Sequence, residues 1–564
     1  MPTSGPTPAI GVDLGTTNCA LAYTDGDAVE LFPIPQLVNA GETREEPLLP
    51  SCLFLEDSQA IAGVFAWKRG LENPGRLVTS AKSWLCHPGV DRSAAILPPQ
   101  APEGVPKISP IEASRHLLAH LRDAWNEKTP DAPFDTHQVL VTVPASFDAV
   151  ARDLTLKAAE EAGYRNVILL EEPQAAFYAW IDRHPDWREH VAVGDLILVI
   201  DIGGGTSDFT LISVQDQGGE LALERIAVGD HILLGGDNFD LALAHQVAQG
   251  LPKLDAVRFH SLWQQCRTAK EKLLSERSRT AEQPITILGR GTGVVGGTLK
   301  TKLVRADVER IVLDGFLPAV PFDAEPTHSQ AGLAEIGLPY AADAAITRHL
   351  AHFLRAQSAA PTRVLFNGGV LNASLIRNRI LEVLNSWLPK PVTPLVGEDL
   401  MHAVARGAAY YGLARQGKGV RIRGGVPRSY YVGIESSMPA VPGFAAPLKA
   451  FTVAPFGMEE GTGHKFPNRE FALSVGSTAR FRFFQSTTRK NDPAGSLLDE
   501  IDQEFEELTP VEVSLPGTRG ESVPVTLETL VTETGVLELW CAARDGRRWK
   551  LEFNVRSGQV RART

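Results

Sequence analysis

A chain of 564 residues is long enough for three or four compact units, which excludes a peptide hormone or a disulfide-stapled miniprotein. Hydrophobic residues make up 43% and charged residues 22%, and no apolar run approaches the roughly 18 residues that a membrane helix needs, so no transmembrane segment is expected. The formal charge of −12 argues against a broad basic face, and neither nucleic acid nor membrane is expected as a partner.

The N-terminal MPTSGPTPAI has no basic stretch followed by an apolar one, which makes the cytoplasm the expected location. The 5 cysteines are scattered without a CxxC pair and read as reduced thiols in the core. Along the chain, AIGVDL, VLVTVPA, LILVIDI and RVLFNGGV predict strands, and helical patterns lie near 149–163, 172–182, 238–250, 262–275 and 372–387. That alternation predicts an α/β fold over residues 1–416. The Gly-rich, basic GKGVRIRGGVPRS predicts a linker over 417–428. Residues 429–564 read as a mostly β domain, with hairpin turns at Thr534-Gly535 and Asp545-Gly546. Within it, 491–510 holds seven acidic and no basic residues and is expected to be a solvated loop or short exposed helix, while Phe481, Phe483 and Phe484 are expected in a sandwich core.

One internal repeat carries chemistry. IGVDLGTTNCALAY (10–23) and IDIGGGTSDFTLI (200–212) share an apolar strand, an Asp, a Gly-rich turn with Thr and a second apolar strand, as expected of a duplicated domain whose two turns face one cleft. Successive N–H groups in such turns form a nest for an anion, and phosphate is the natural guest. Thr16, Thr17 and Thr206 add hydroxyls, and Asp13 and Asp201 stand at strand ends where a hydrated magnesium bridging phosphates needs oxygen partners. In LLEEPQAA, Glu172 follows an apolar run and opens a helix, a usual place for a functional carboxylate in an α/β sheet and also for a helix cap.

These segments together resemble the seventy-kilodalton heat-shock chaperone family, within the actin, hexokinase and heat-shock ATPase superfamily. IGVDLGTTN and VIDIGGGTSDF are similar to its two phosphate motifs, VTVPASFD and LLEEPQAA to its first connecting region, and GDHILLGGDNFD to its GG-x-x-F-D segment. LFNGGVL and AVARGAA resemble its adenosine and second connecting motifs, and YYVGIE and PVTLETLVTETGVLELWCAARD its β-sandwich substrate domain. The resemblance implies a duplicated actin-like ATPase domain with ribonuclease H-like halves, followed by a β-sandwich-like substrate-binding domain.

It also implies ATP hydrolysis by in-line attack of water, with positioning and charge neutralisation as the main catalytic devices. On that basis Asp13 and Asp201 hold magnesium through waters, Gly15, Thr16, Thr17, Asn18, Gly203, Gly204 and Gly205 cradle the phosphates of ATP or ADP, and Thr206 touches the γ-phosphate. Asp201 and Glu172 orient the water, and Asp208 matches a position that helps bind a monovalent cation such as potassium. Lys68, shortly before Asn73-Pro74, is expected as the catalytic lysine, with Arg69 its competitor. Lys272 and Ser275 face the adenosine side together with Gly368 and Gly369, although Val370-Leu371-Asn372 departs from the family's usual Ser-Thr-Arg there. The expected partner is an unfolded or extended polypeptide, with a J-domain cochaperone and a nucleotide exchange factor. The linker is basic where the family's is acidic, and Thr564 follows the last predicted strand, so no helical lid is expected. These departures keep open a nucleotide-switched scaffold for one dedicated partner, and a small-molecule kinase of the same superfamily is the third reading.

Overall fold

The computed structural model describes residues 8–561 apart from 58, 88–89, 100, 148, 218–219, 231, 288–297, 328–339, 398, 419–421, 424–425, 427, 438–446, 459–460, 487, 490, 503, 509–510, 519, 533–535 and 555–559. The turn expected at Thr534-Gly535 and much of the linker expected over 417–428 lie outside the described residues. Contacts divide the chain into two compact units, one of Met1–Phe147, Leu154–Leu223 and Ala227–Arg421, the other of Asp148–Asp153, Glu224–Ile226 and Ile422–Thr564.

The first unit repeats one sheet plan twice. In one half, Ala9–Leu14 pairs in parallel with Gln138–Val143 and antiparallel with Asn18–Asp25, and Val167–Glu171 extends the parallel side. In the other, Leu196–Ile202 pairs in parallel with Arg363–Asn367 and antiparallel with Ser207–Gln217, and Thr393–Leu395 extends the parallel side. Apart from Asp13, Ala9–Leu14 is buried throughout, and Leu196–Ile202 is buried after Leu196, as strands are when helices cover both faces of a sheet. The duplication expected from the repeat is therefore present as two equivalent strand-turn-strand hairpins in an α/β fold.

Small residues set the helix packing around the first hairpin. A Cβ on Gly11 would stand 2.2 Å from the carbonyl oxygen of Ala405, and one on Gly407 would stand 1.7 Å from that of Ala175. The AVARGAA sequence thus brings the helix Ala403–Arg415 into backbone contact with the strand Ala9–Leu14 on one side and the helix Glu172–Arg183 on the other. Glu172 is held at the N-terminus of that second helix, directly after the strand Val167–Glu171.

The Asp148–Asp153 stretch of the second unit belongs to the start of the helix Ala149–Glu161, and among the described residues of Ile422–Thr564 there is no helix. Its sheets centre on Ser429–Glu435 with Leu448–Ala454 and Phe483–Ser486, and on Glu521–Val531 with Thr462–Val475 and Val536–Ala543. Side chains from both sheets, including Tyr430, Val432, Phe451, Val475, Val525 and Leu539, share one core, as in a sandwich. The turn expected at Asp545-Gly546 joins Val536–Ala543 to Arg548–Asn554, with Gly546 at φ 90°. Phe483 is in the core and Phe481 packs against it, but Phe484 lies in a separate cluster with Tyr431 and Ala450. The acidic stretch is no free loop: Leu497–Leu498 and Glu506–Glu507 each pair with the sheet, and Leu498, Ile501 and Phe505 cover that cluster. Asp492 turns inward to accept from the Tyr431 hydroxyl at 2.8 Å, Asp499, Glu500, Asp502, Glu504, Glu506 and Glu507 stay exposed, and the few apolar residues supply the cover, a division that net charge along the sequence hides.

Candidate functional site

The two hairpin turns of the first unit meet. A Cβ on Gly204 would lie 1.9 Å from Thr17 Oγ1, and one on Gly205 would lie 2.9 Å from Thr16 Cγ2, so the second turn approaches the first only because it is glycine. The segment GGDNFD locks onto the second turn from the other side: Gly236 N–H donates to the Gly203 carbonyl at 3.0 Å and Asp237 N–H to the Gly204 carbonyl at 2.7 Å. Ser51 Oγ donates to the Gly15 carbonyl at 2.6 Å and fixes the first turn. A cleft of about 800 Å³ opens between the two halves, lined by Asp13, Gly15, Thr16, Thr17 and Asn18 from one and Asp201, Gly203, Gly204 and Thr206 from the other. Gly205 is turned beneath this surface.

The repeat also explains how the carboxylates are held. Asp13 accepts from Thr142 Oγ1 at 3.3 Å, and Asp201 accepts from Asn367 Nδ2 at 2.6 Å, each donor standing on the parallel neighbour of the Asp-bearing strand. Thr142 and Asn367 support the two carboxylates and were missed by motif matching, although both lie within the predicted strands VLVTVPA and RVLFNGGV. Asp208 is the antiparallel partner of Asp201. It is buried behind the cleft lining, where Ser146 Oγ donates to it, so its expected place among the cation ligands is not reproduced at the cleft surface.

The lysine is the main correction. Lys68 donates to the Val38 carbonyl at 2.8 Å and to Asn39 Oδ1 at 3.0 Å, and it does not line the cleft. Lys82, after the Asn-Pro step instead of before it, lines the cleft and pairs with Glu172, their side chains 6% and 13% exposed. Burial works against the Lys82 charge, but Glu172 and then Asp13 outweigh it and hold the ammonium above its ordinary pKa. Burial pushes Asp13 up to about 7, with Lys82 opposing and Glu172 reinforcing, and burial followed by Glu172 pushes Asp201 well above the carboxylate range. Around Lys82 the carboxyl groups of Asp13, Glu172 and Asp201 outnumber the one ammonium, and this part of the cleft is short of positive charge. Thr17 Oγ1 is buried without a hydrogen-bond partner. A hydrated cation carried in with phosphate oxygens fits both features, and among the described residues no set of three side chains is arranged to grip a metal directly.

Beside Asp201, Gly368, at φ 92°, comes so close that its Cβ would lie 2.3 Å from the Ile202 carbonyl oxygen and 2.6 Å from Asp201 Oδ1. Gly369, Val370, Asn372, Ala373 and Ile376 continue that wall, opposite Leu274, Ser275, Glu276 and Arg277. Ser275 lines the cleft, whereas Lys272 is exposed and absent from the lining. Lys270 takes the inward position, 2.7 Å from Asp240, in a nearly buried pair. Helical geometry decides between them: the buried Cys266, Ala269, Lys270 and Leu273 form one stripe of the helix Ala256–Leu274, and Lys272 falls outside it.

Comparison with known proteins decides the family. The model of the family described as Hsp70 protein matches residues 9–319, more than half of the chain and including both turns. The chain belongs to the Hsp70 family. Hsp70 proteins are ATPases, and the two facing turns are where the match and the cleft coincide. Among similar proteins, the chaperone protein HscA homolog of Bordetella pertussis (strain Tohama I) is 30% identical over 316 residues, covering 54% of this chain and 46% of that one. The chaperone protein HscA homolog of Actinobacillus pleuropneumoniae serotype 5b is 30% identical over 259 residues, covering 43% and 37%. The matched region thus spans less than half of each relative. Among the described residues of this Hsp70 chain no helix is long and apolar enough to cross a membrane.

Proposed function

We propose that the first unit binds and hydrolyses ATP and that its nucleotide state modulates polypeptide binding by the β unit, as in an ATP-dependent chaperone. The observation that carries this reading is the buried Lys82–Glu172 pair set between two glycine turns with Asp13 and Asp201 at their bases. The backbone of Gly15 to Asn18 and of Gly203 and Gly204 presents N–H groups to phosphates, and the Thr206 hydroxyl stands beside the second turn to meet the terminal one. Lys82 places a compact positive charge where a phosphoryl group gains charge in the transition state, a role suited to preorganised electrostatics. Glu172 and Asp201 orient the attacking water. Bound magnesium supplies further neutralisation of the phosphate oxygens, with Asp13 and Asp201 holding its waters. The wall of Gly368, Val370 and Ile376 takes the adenosine.

The test is steady-state ATP turnover by the intact chain with a panel of unfolded peptides, and separately with small hydroxylated metabolites. Stimulation by peptides is the expected result, with an extended client, a J-domain cochaperone and an exchange factor as the partners to look for. Stoichiometric phosphorylation of a metabolite would establish a kinase instead, and turnover indifferent to both would leave a scaffold for one dedicated partner.

A further inference from the structure

Ser80, Asn166 and Ser358 are the described non-glycine residues with positive φ, all in the first unit, and of the three Ser80 is the one two residues from Lys82. It adopts φ 54° and ψ 29°, a left-handed conformation that a residue with a Cβ rarely occupies and that persists where surrounding contacts enforce it. It stands at the N-cap of the short helix Ala81–Leu85, yet its hydroxyl makes no capping bond. The hydroxyl instead reaches 157 residues along the chain and donates to Asp237 Oδ2 at 3.4 Å. Asp237 in turn is fixed by its own N–H to the carbonyl of Gly204 in the second phosphate turn. On the other side, the five residues Ala81 to Leu85 are all buried, Lys82 among them. Ser83 Oγ, unpartnered, sits 3.0 Å from where a Cβ of Gly205 would be.

Resting on the ATPase reading above, we infer that Ser80 is a positioning residue: through Asp237 it ties the segment that carries Lys82 to the second phosphate turn and so sets the distance between ammonium and transferring phosphoryl group. The backbone at Ser80 aims the hydroxyl at Asp237, and Lys82 two residues on enters the cleft. Among the described residues the one ion pair that Lys82 makes is to Glu172 on the first half, and Asp201 at the base of the Gly203–Gly205 turn attracts its charge without an ion pair to hold it at a set distance. Ser80 supplies that reference.

The test uses Ser80→Ala, which removes the hydroxyl, and Ser80→Asn, whose amide donates to a carboxylate and whose backbone tolerates the left-handed region. In the full chain S80A is expected to lower kcat for ATP about tenfold with KM changed less than about threefold, as for a group acting on the transition state, and S80N to recover most of the loss. In nucleotide-free protein, the amides of Ala81–Leu85 are expected to exchange with solvent several times faster in S80A than in wild type or S80N. A merely structural role would instead lower the unfolding temperature and shift kcat and KM together, without recovery in S80N. Unchanged kcat and unchanged exchange in folded S80A overturn the inference while leaving the ATPase reading intact. Absence of turnover in wild type overturns the ATPase reading, and the exchange measurement still decides whether Ser80 holds the Lys82 segment.

Discussion

The cleft holds a charge conflict that Asp13→Asn should relieve. Burial keeps Asp13 near pKa 7 in the folded chain, against 3.8 for the free group. Between those values the unfolded chain releases a proton that the folded chain retains, so the folded state loses stability as pH rises from about 4 to 7 and regains it as pH falls. At about 1.4 kcal/mol per unit the full shift corresponds to about 4 kcal/mol. Asp13 faces a wet cleft on one side, and Asn no longer offers Lys82 a countercharge, so a net gain of about 2 kcal/mol for D13N at pH 7 is the expectation. Thermal and urea unfolding of nucleotide-free protein in chelator should show D13N as the more stable chain at pH 7, with the gap closing by pH 4 to 5. Added magnesium and ADP should stabilise wild type and not D13N, since the variant loses the oxygen that holds the cation's water. A D13N chain less stable than wild type at pH 7, or a gap that ignores pH, would refute the reasoning.

The two lysines make a paired prediction. Lys82→Ala should cut ATP turnover at least about 100-fold by removing a preorganised charge and leaving Glu172 buried alone, while Lys68→Ala should stay within about twofold; comparable losses in both would contradict the placement of Lys82. Gly368→Ala puts a Cβ at φ 92° against the Ile202 carbonyl and Asp201 and should weaken ATP binding at least about tenfold by calorimetry, with the β unit's unfolding unchanged. Phe505, edge-on to Tyr431 with ring centroids 4.9 Å apart, anchors the acidic cover of the β unit. Phe505→Ala should free residues 499–507 to a glutamate-specific protease several times faster than wild type, and equal cleavage rates would show that the cover is held elsewhere.

What was legible in the sequence was what local chemistry dictates. Gly15, Gly203 and Gly204 with Asp13 and Asp201 announce paired glycine turns because a tight turn and a strand-end carboxylate are set by neighbours a few residues away. Lys82 was hidden because the helix that carries it is too short to show a period, and its meaning comes from Glu172, which the fold brings to it from another element. The Asn73-Pro74 step drew attention to the wrong side. Motif position points to Lys272, whereas the buried stripe through Cys266 and Leu273 turns Lys270 inward. In the β unit, Phe484 and the 491–510 cover were misread for a related reason: alternation along a strand says which side chains share a face, but not which face a later segment returns to bury. The small residues of AVARGAA, by contrast, registered as a motif, and the fold gives their cause in the 1.7 Å that separates a Cβ on Gly407 from Ala175.

The central claim is that the two facing turns form a magnesium-dependent ATPase site. Phosphate release from ATP by the full chain, wild type against the double variant Asp201→Asn with Thr206→Ala, tests it most directly. The account predicts turnover in wild type that chelator abolishes and a loss of at least about tenfold in the folded double variant. Equal turnover in the two proteins would contradict it.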